Sequence, residues 1–283
     1  GEIWYLQEIF PRTPLIGYFE FFYSFAGDPV GFEPDVPINF DTGPRVRTKN
    51  IGNLLGLDTA DLGQCPTHWQ RSLYPDVYQS KLHTVHEGVD TNTLIPNPRA
   101  RLRVPNTEIE VAAGDEIITY VARNLEPYRG FPNFMRSLPE VLRRRPNARV
   151  LIVGGEGVSY GSALPEGRTY KQALLDELEG SLDLSRVHFL GKVPYNFFLG
   201  VLQVSRVHVY LTYPFVLSWS MLEAMSAGCL IVGSRTPPVE EVIRDRENGV
   251  LVDMFSAAEI AEGIIDVLAN PEAYQPLRVN ARR

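Results

Sequence analysis

Residues Ile117–Gly155 read IITYVARNLEPYRGFPNFMRSLPEVLRRRPNARVLIVGG, and this stretch decides the fold. It opens on an apolar, β-rich run, IITYVA, and closes on another, RVLIVGG. Neither run alternates apolar with polar residues, which is the pattern of parallel strands buried on both faces. Between them Phe131, Phe134, Leu138, Val141 and Leu142 recur at three- and four-residue spacing, which predicts a helix that Pro146 stops. Strand, helix and strand of this kind form a βαβ unit. Further runs of the same type follow: RVHFLG (Arg186–Gly191), RVHVYLT (Arg206–Thr212), CLIVGS (Cys229–Ser234) and GVLVD (Gly249–Asp253). Leu174, Leu175 and Leu178 mark one intervening helix. Ile260, Ile264, Ile265 and Leu268 mark another, ended by Asn270-Pro271. The alternation predicts an α/β domain with a doubly wound parallel sheet.

Working outward, the first ninety or so residues are less regular. PLIGYFEFF (Pro14–Phe22) reads as a strand entering a loop, and Gly27–Gly43 as an irregular Gly-, Pro- and Asp-rich segment. Arg45–Leu57 reads as helical, ADLGQC (Ala60–Cys65) as a strand, and KLHTVHEG (Lys81–Gly88) as another. Thr67 and Gln70 have the spacing of a capping box. Arg99–Val111 is polar and patternless, so the linker is expected there, within about 91–112. The expected domains are residues 1–95 and 96–283.

Composition excludes several classes. Net charge is −7 over 283 residues, so a broad electrostatic grip on nucleic acid is not expected. Two cysteines cannot make a disulfide framework. No apolar run reaches the ~18 residues of a membrane span, and GEIWYLQEIFP lacks a signal peptide's pattern. These bounds lead to a cytoplasmic expectation.

The chemistry-bearing residues cluster where strands end. Arg123 and Arg129 flank the loop between IITYVA and the helix after it, where an anion would meet two guanidinium groups and a helix dipole. The alternative is an arginine paired with Glu126 on a solvated loop. In TYPFVLSWSMLEAMSAGCLIVGS (Thr212–Ser234), Ser218, Trp219 and Ser220 open a helix whose amides suit a diphosphate. Glu223 reads either as the capping-box partner of Ser220 or as an acceptor for sugar hydroxyls. GGEGVSYG (Gly154–Gly161) is a near miss to a dinucleotide fingerprint, and also reads as a turn where the backbone, at Gly155, approaches a ligand or a neighbour. His188 and His208 lie within strand runs, and no histidine has metal-ligand spacing.

Together these segments resemble the retaining, nucleotide-sugar-dependent glycosyltransferases of family four, which have the GT-B fold of two Rossmann-like domains. The matching strings are HEGVD (His86–Asp90), YVARNLEPYRGF (Tyr120–Phe131), RVLIVGGEG, VHFLGKVPY (Val187–Tyr195), the stretch around Glu223, and PPVEEVIRDRENGVLVD (Pro237–Asp253). PLIGYFEFFY and CPTHWQRSLYP are similar to the second half of that family's N-terminal domain. The resemblance implies a complete C-terminal Rossmann-like domain, part of an N-terminal one, and hence a fragment of a longer enzyme.

It further implies that Arg123 and Arg129 bind the donor diphosphate, with Arg129 where lysine is usual. Glu223, second glutamate of the family's E-x7-E motif, would bind ribose hydroxyls. Ser218, Trp219 and Ser220 would give phosphate-binding amides. Gly191–Tyr195, with Val193, would lie against the nucleobase, and Glu20 falls near a histidine placed beside the reacting sugar. One departure is plain: Phe215 stands where the first glutamate of E-x7-E would be, and a two-residue shift gives Tyr213.

The implied partners are a nucleoside-diphosphate sugar and a carbohydrate or glycolipid acceptor, with no metal and no nucleic acid. Peripheral contact with the inner membrane face goes with the lobe that precedes this chain in the family. Two rivals remain: an idle nucleotide-sugar binding module, motivated by Phe215, and an NAD-dependent oxidoreductase, motivated by GGEGVSYG. The oxidoreductase needs a ribose-binding acid, for which Glu177 and Glu179 are the candidates.

Overall fold

The computed structural model describes residues 3–25, 30–33 and 38–283. Much of the segment expected to be irregular, Gly27–Gly43, lies outside the described residues. The chain forms two compact units. The first comprises Gly1–Gly88 with Tyr213–Leu217 and Thr236–Glu241; the second comprises Val89–Thr212, Ser218–Arg235 and Val242–Arg283.

The first unit holds a parallel sheet of β1 (Ile16–Tyr18), β2 (Leu62–Cys65) and β3 (Leu82–Thr84), in that order. Phe19, Leu57, Ala60, Cys65, Tyr74 and Leu82 form its apolar cluster. The expected helix over Arg45–Leu57 is two helices, Thr42–Lys49 and Ile51–Thr59, meeting at Asn50. The Asn50 side chain accepts from Tyr23 N and donates to Tyr23 O, so it ties that junction to the segment after β1. Thr67 caps the helix His68–Ser72 by accepting from Gln70 N, as its spacing predicts. The same helix start receives Glu241, whose two carboxylate oxygens accept from His68 N and Trp69 N.

The second unit begins with an antiparallel hairpin, β4 (Arg101–Arg103) and β5 (Glu110–Ala112). This corrects the expectation of a patternless linker. Leu102, Val104 and Val111 are buried against Ile117, Leu151, Val153, Val201 and Val204, so the hairpin caps one end of the main core. After it come β6 (Ile117–Asn124), β7 (Arg149–Gly155), β8 (Val187–Gly191), β9 (Val207–Tyr210), β10 (Leu230–Ser234) and β11 (Val250–Val252).

These six strands form one sheet in the order β11-β10-β9-β6-β7-β8, and every pairing is parallel. The chain builds outward from β6 to β8, then returns to the other side of β6 to lay down β9. Strand order therefore reverses between β6 and β9. In open α/β sheets that switch point, at the carboxyl ends of the strands, is where a crevice opens.

Core burial follows the apolar runs. Ile118, Val150, Leu151, Ile152, Val207, Val209, Leu230, Ile231 and Val232 are fully buried. The helix Phe131–Arg144 buries Phe131, Phe134, Leu138, Val141 and Leu142, the residues its periodicity selects. Cys229 is buried, and burial pushes its thiol up to about 12, which makes it unreactive as a nucleophile. His208 is a core residue as expected, whereas His188 is only half-buried.

Candidate functional site

The switch point carries a recess of about 80 Å³ lined by Val121, Ala122, Arg123, Asn124, Glu126, Arg129, Tyr160, Tyr210 and Ser218. Arg123 and Arg129 enter it from the end of β6, and Ser218 from the loop after β9. Their spacing sets all three at strand and helix ends, and the fold brings them to one concavity.

Arg129 is held from several sides. It ends a short 3-10 turn, Pro127–Arg129, and Gly130 follows with φ 66° before the helix Phe131–Arg144. The carbonyl of Arg129 accepts from the hydroxyl of the buried Tyr120 at 2.6 Å. Its guanidinium donates to Thr212 Oγ1 at 2.7 Å and to Tyr210 Oη at 3.2 Å. Tyr210 Oη also accepts from Ser218 N at 2.7 Å. One phenol therefore links Arg129 to the start of the next helix. Arg123 is exposed at the end of β6, with its side chain at the recess.

The helix after Ser218 runs Trp219–Ser226. Ser218 is its N-cap residue, and its backbone N–H donates to Tyr210 Oη. Ser218 Oγ and Ser220 Oγ lie 3.0 Å apart, Trp219 is exposed, and Ser220 is half-buried.

The capping-box reading of Ser220 and Glu223 is corrected. Ser220 sits inside the helix, and Glu223 instead accepts a hydrogen bond from Tyr195 Oη at 3.0 Å. Burial raises the Glu223 carboxyl above the ordinary glutamate value, and the Tyr195 bond acts against that rise. Burial, and then the bond to Glu223, pushes the Tyr195 hydroxyl up to about 12. Tyr195 opens the helix Tyr195–Val204, so the Gly191–Tyr195 loop reaches the site through its last residue. Val193 is half-buried and packs against the cluster beneath the hairpin.

Glu126 is the largest departure from expectation. It neither pairs with an arginine nor faces solvent: it is 1% exposed, and its carboxylate accepts from three successive backbone amides. Ser159 N lies at 3.0 Å, Tyr160 N at 3.1 Å and Gly161 N at 2.9 Å. The GGEGVSYG segment is thus a loop folded onto Glu126. A dinucleotide fingerprint would turn directly into a helix with amides turned toward phosphate, and this loop does neither. Gly155 is closely approached by its neighbours: a Cβ there would lie 2.6 Å from Asn124 Oδ1 and 2.8 Å from Lys192 Cε, so both side chains would have to move. Glu177, a ribose candidate of the oxidoreductase reading, is held by Arg136 at 2.6 and 2.9 Å.

Glu20 belongs to the first unit, exposed just after β1, where its carbonyl accepts from Gln70 Nε2 at 2.5 Å. Phe215 and Tyr213 are also placed with that unit and are buried. Phe215 packs against Phe21 at 4.7 Å and Tyr23 at 6.5 Å between ring centroids, within an aromatic cluster of the first unit. Sequence reasoning missed Tyr210, Thr212 and Tyr160, and it named Tyr195 only as the end of a loop, not as the partner of Glu223. A tyrosine within or beside an apolar run reads as packing until its hydroxyl has a partner.

A switch-point crevice lined by arginines on a six-stranded parallel sheet, in a chain that also holds a separate, smaller parallel sheet, defines the GT-B class. Sucrose-phosphate synthase from Thermosynechococcus elongatus has this fold, with a TM-score of 0.70 at 18% identity over 99% of this chain and 65% of that one. HepE from Anabaena, solved in complex with UDP and glucose, superposes with a TM-score of 0.66 at 16% identity over 98% of this chain and 68% of that one.

The family follows from the sequence. The model for glycosyl transferases group 1 matches residues 106–283, and that for the glycosyl transferase family 4 group matches residues 1–94. The chain belongs to the group 1 glycosyl transferases.

Among its relatives is the GDP-mannose-dependent alpha-(1-6)-phosphatidylinositol monomannoside mannosyltransferase of Mycolicibacterium smegmatis, 24% identical over 84% of this chain. Another is the D-inositol 3-phosphate glycosyltransferase of Rhodococcus jostii, 25% identical over 72% of this chain. The chain spans 59% and 43% of the lengths of these two relatives. Among the described residues no helix is long and apolar enough to cross a membrane.

Proposed function

We propose that this protein transfers a glycosyl group from a nucleoside-diphosphate sugar to an acceptor hydroxyl, with retention of configuration. The observation that carries the reading is the convergence of Arg123, Arg129 and the start of the Ser218 helix on one recess at the switch point. In the reaction the bond from the anomeric carbon to the diphosphate breaks, and its electron pair leaves on the phosphate oxygen. The acceptor oxygen bonds to the anomeric carbon on the same face, and the acceptor's proton leaves with the departing diphosphate. Charge grows on the leaving group, so cationic groups already in place lower the barrier. Arg123 and Arg129 supply them, and the helix N-terminus at Trp219 and Ser220 adds its dipole. On this reading protein groups do the work that a divalent cation would otherwise do.

Glu223, raised by burial yet hydrogen-bonded, takes the ribose hydroxyls, with Tyr195 holding its place before donor arrives. The Gly191–Tyr195 loop faces the base. We assign Glu20 to the side of the reacting sugar. The acceptor we put forward is a carbohydrate or glycolipid hydroxyl, since one relative is named for a phosphatidylinositol monomannoside and another for an inositol phosphate. A cytoplasmic enzyme peripheral to the inner membrane face fits such an acceptor.

The test is incubation of the protein with UDP-glucose and with GDP-mannose, following released sugar or product by proton NMR. An α-configured product from an α-configured donor is expected; a β product would contradict retention. A second reading, donor binding without turnover, is favoured by Phe215, which offers the donor sugar no carboxylate. Tight donor binding with no release of nucleoside diphosphate would select it.

A further inference from the structure

Three successive amides that point at one spot form a concavity suited to an anion. The amides of Ser159, Tyr160 and Gly161 do this, and the anion they hold is part of the chain, Glu126. A carboxylate offers about four lone-pair sites, enough for all three donors. The segment around them, with Gly155, Gly157 and Gly161, has high backbone entropy when loose and needs an anchor to adopt one shape. Asn124 Nδ2 donates to Ser159 Oγ at 2.7 Å as a second tie from the end of β6. The loop also carries Tyr160, whose ring faces the Arg129 guanidinium at 5.7 Å and the Tyr128 ring at 6.1 Å. The amide of Tyr160 bonds Glu126 while its ring touches Arg129, so the carboxylate fixes how that guanidinium is walled in.

We propose that Glu126 is a positioning residue, an internal counter-anion that fills the Ser159–Gly161 cradle, holds the loop beside Arg129 and leaves a donor's diphosphate to the Arg123–Arg129–Ser218 side. In naming a residue that shapes the donor site, this inference rests on the function proposed above. Without the carboxylate, the cradle becomes open to an external anion and competes for the donor's phosphates, while Tyr160 is released from Arg129.

The experiment compares the wild-type chain with Glu126→Ala and with the isosteric Glu126→Gln, each checked for an intact fold by circular dichroism. Amide hydrogen exchange is followed across 155–161, UDP and GDP binding is measured by calorimetry, and both are repeated in sodium acetate. Exchange at 159–161 should rise in the variants with the rest of the unit unchanged. Nucleotide affinity should fall on the order of tenfold, as for one lost charge-assisted hydrogen bond. Acetate should reverse both effects in Glu126→Ala and change nothing in the wild type.

Unchanged exchange would overturn the proposal. So would a loosened loop that acetate fails to close, or equal nucleotide affinity in all three proteins. If the wild type binds neither nucleotide, the donor-site reading falls, and the exchange and acetate arms still decide whether Glu126 holds the loop.

Discussion

Glu223 pays for its position in stability, and this can be measured. Its carboxyl is raised by burial, so the folded chain holds a proton there at a pH where the unfolded chain has lost it. Stability therefore falls as pH rises through the window from the ordinary glutamate value up to the raised one, and stays lower above it. Glu223→Gln is expected to stabilise the fold at neutral pH and to weaken nucleoside-diphosphate binding. Thermal melts and calorimetry on the same samples check both, and a variant less stable than wild type at pH 7 would contradict the account. Arg123 and Arg129 were legible at the end of a strand run, and the fold brings both to one recess, whereas Glu223, in mid-helix, was legible only through the family resemblance. Glu126 was not, because the amides that hold it lie more than thirty residues later in the chain. Tyr210 was hidden for another reason, since its ring fills the core while only its hydroxyl reaches Arg129 and Ser218.

At the scale of elements, the β6 end and the helix after it meet through Gly130. Its φ of 66° is left-handed, and a Cβ there would fall on Leu211 Cβ and within 2.8 Å of Leu211 Cδ1. A left-handed non-glycine residue costs about 1–2 kcal/mol before any clash is counted. Gly130→Ala should therefore destabilise the second unit by more than about 2 kcal/mol, read from urea midpoints at unchanged slope. It should also displace Arg129 and lower nucleotide affinity, and a loss below about 1 kcal/mol would show that the turn relaxes freely. The strands β6, β7, β9 and β10 were legible because both their faces are largely buried, which leaves runs dominated by apolar residues. The hairpin β4–β5 was not, because each strand has three residues and buries one, leaving Arg101, Arg103 and Glu110 to set its character. The helix Tyr195–Val204 was likewise missed, since its apolar residues run on around the helix with little amphipathic contrast.

For the molecule as a whole, acid sensitivity should have an identifiable source in the core. His208 is fully buried in β9, with Nδ1 2.9 Å from Thr119 Oγ1 and Nε2 without a partner, and burial pushes it down to about 3 from an ordinary 6.5. As pH falls below 6.5 the unfolded chain takes this proton first, so stability present at neutral pH is lost progressively toward pH 3. The slope is about 1.4 kcal/mol per pH unit for one proton. His208→Gln should flatten that loss between pH 6 and pH 4 in urea titrations, and an unchanged slope would place the sensitivity elsewhere. At this scale, sequence was enough for the α/β class through its alternating strand and helix patterns, and for the family through its motif strings rather than any periodicity. It was not enough for the membership of the two units: Tyr213–Leu217 and Thr236–Glu241 join the first unit through aromatic packing at Phe215 and the Glu241 bonds to His68 and Trp69. Such contacts leave no periodic trace in the chain.

The central claim is that Arg123, Arg129 and the Ser218 helix start make a nucleoside-diphosphate site, and isothermal calorimetry tests it most directly. The protein would be titrated with UDP, GDP, ADP and NAD, alongside the Arg123→Ala, Arg129→Ala double variant. The account predicts that one nucleoside diphosphate binds the wild type and that the double variant, folded by circular dichroism, loses it. Binding of NAD alone, or diphosphate binding that survives in the double variant, would contradict it.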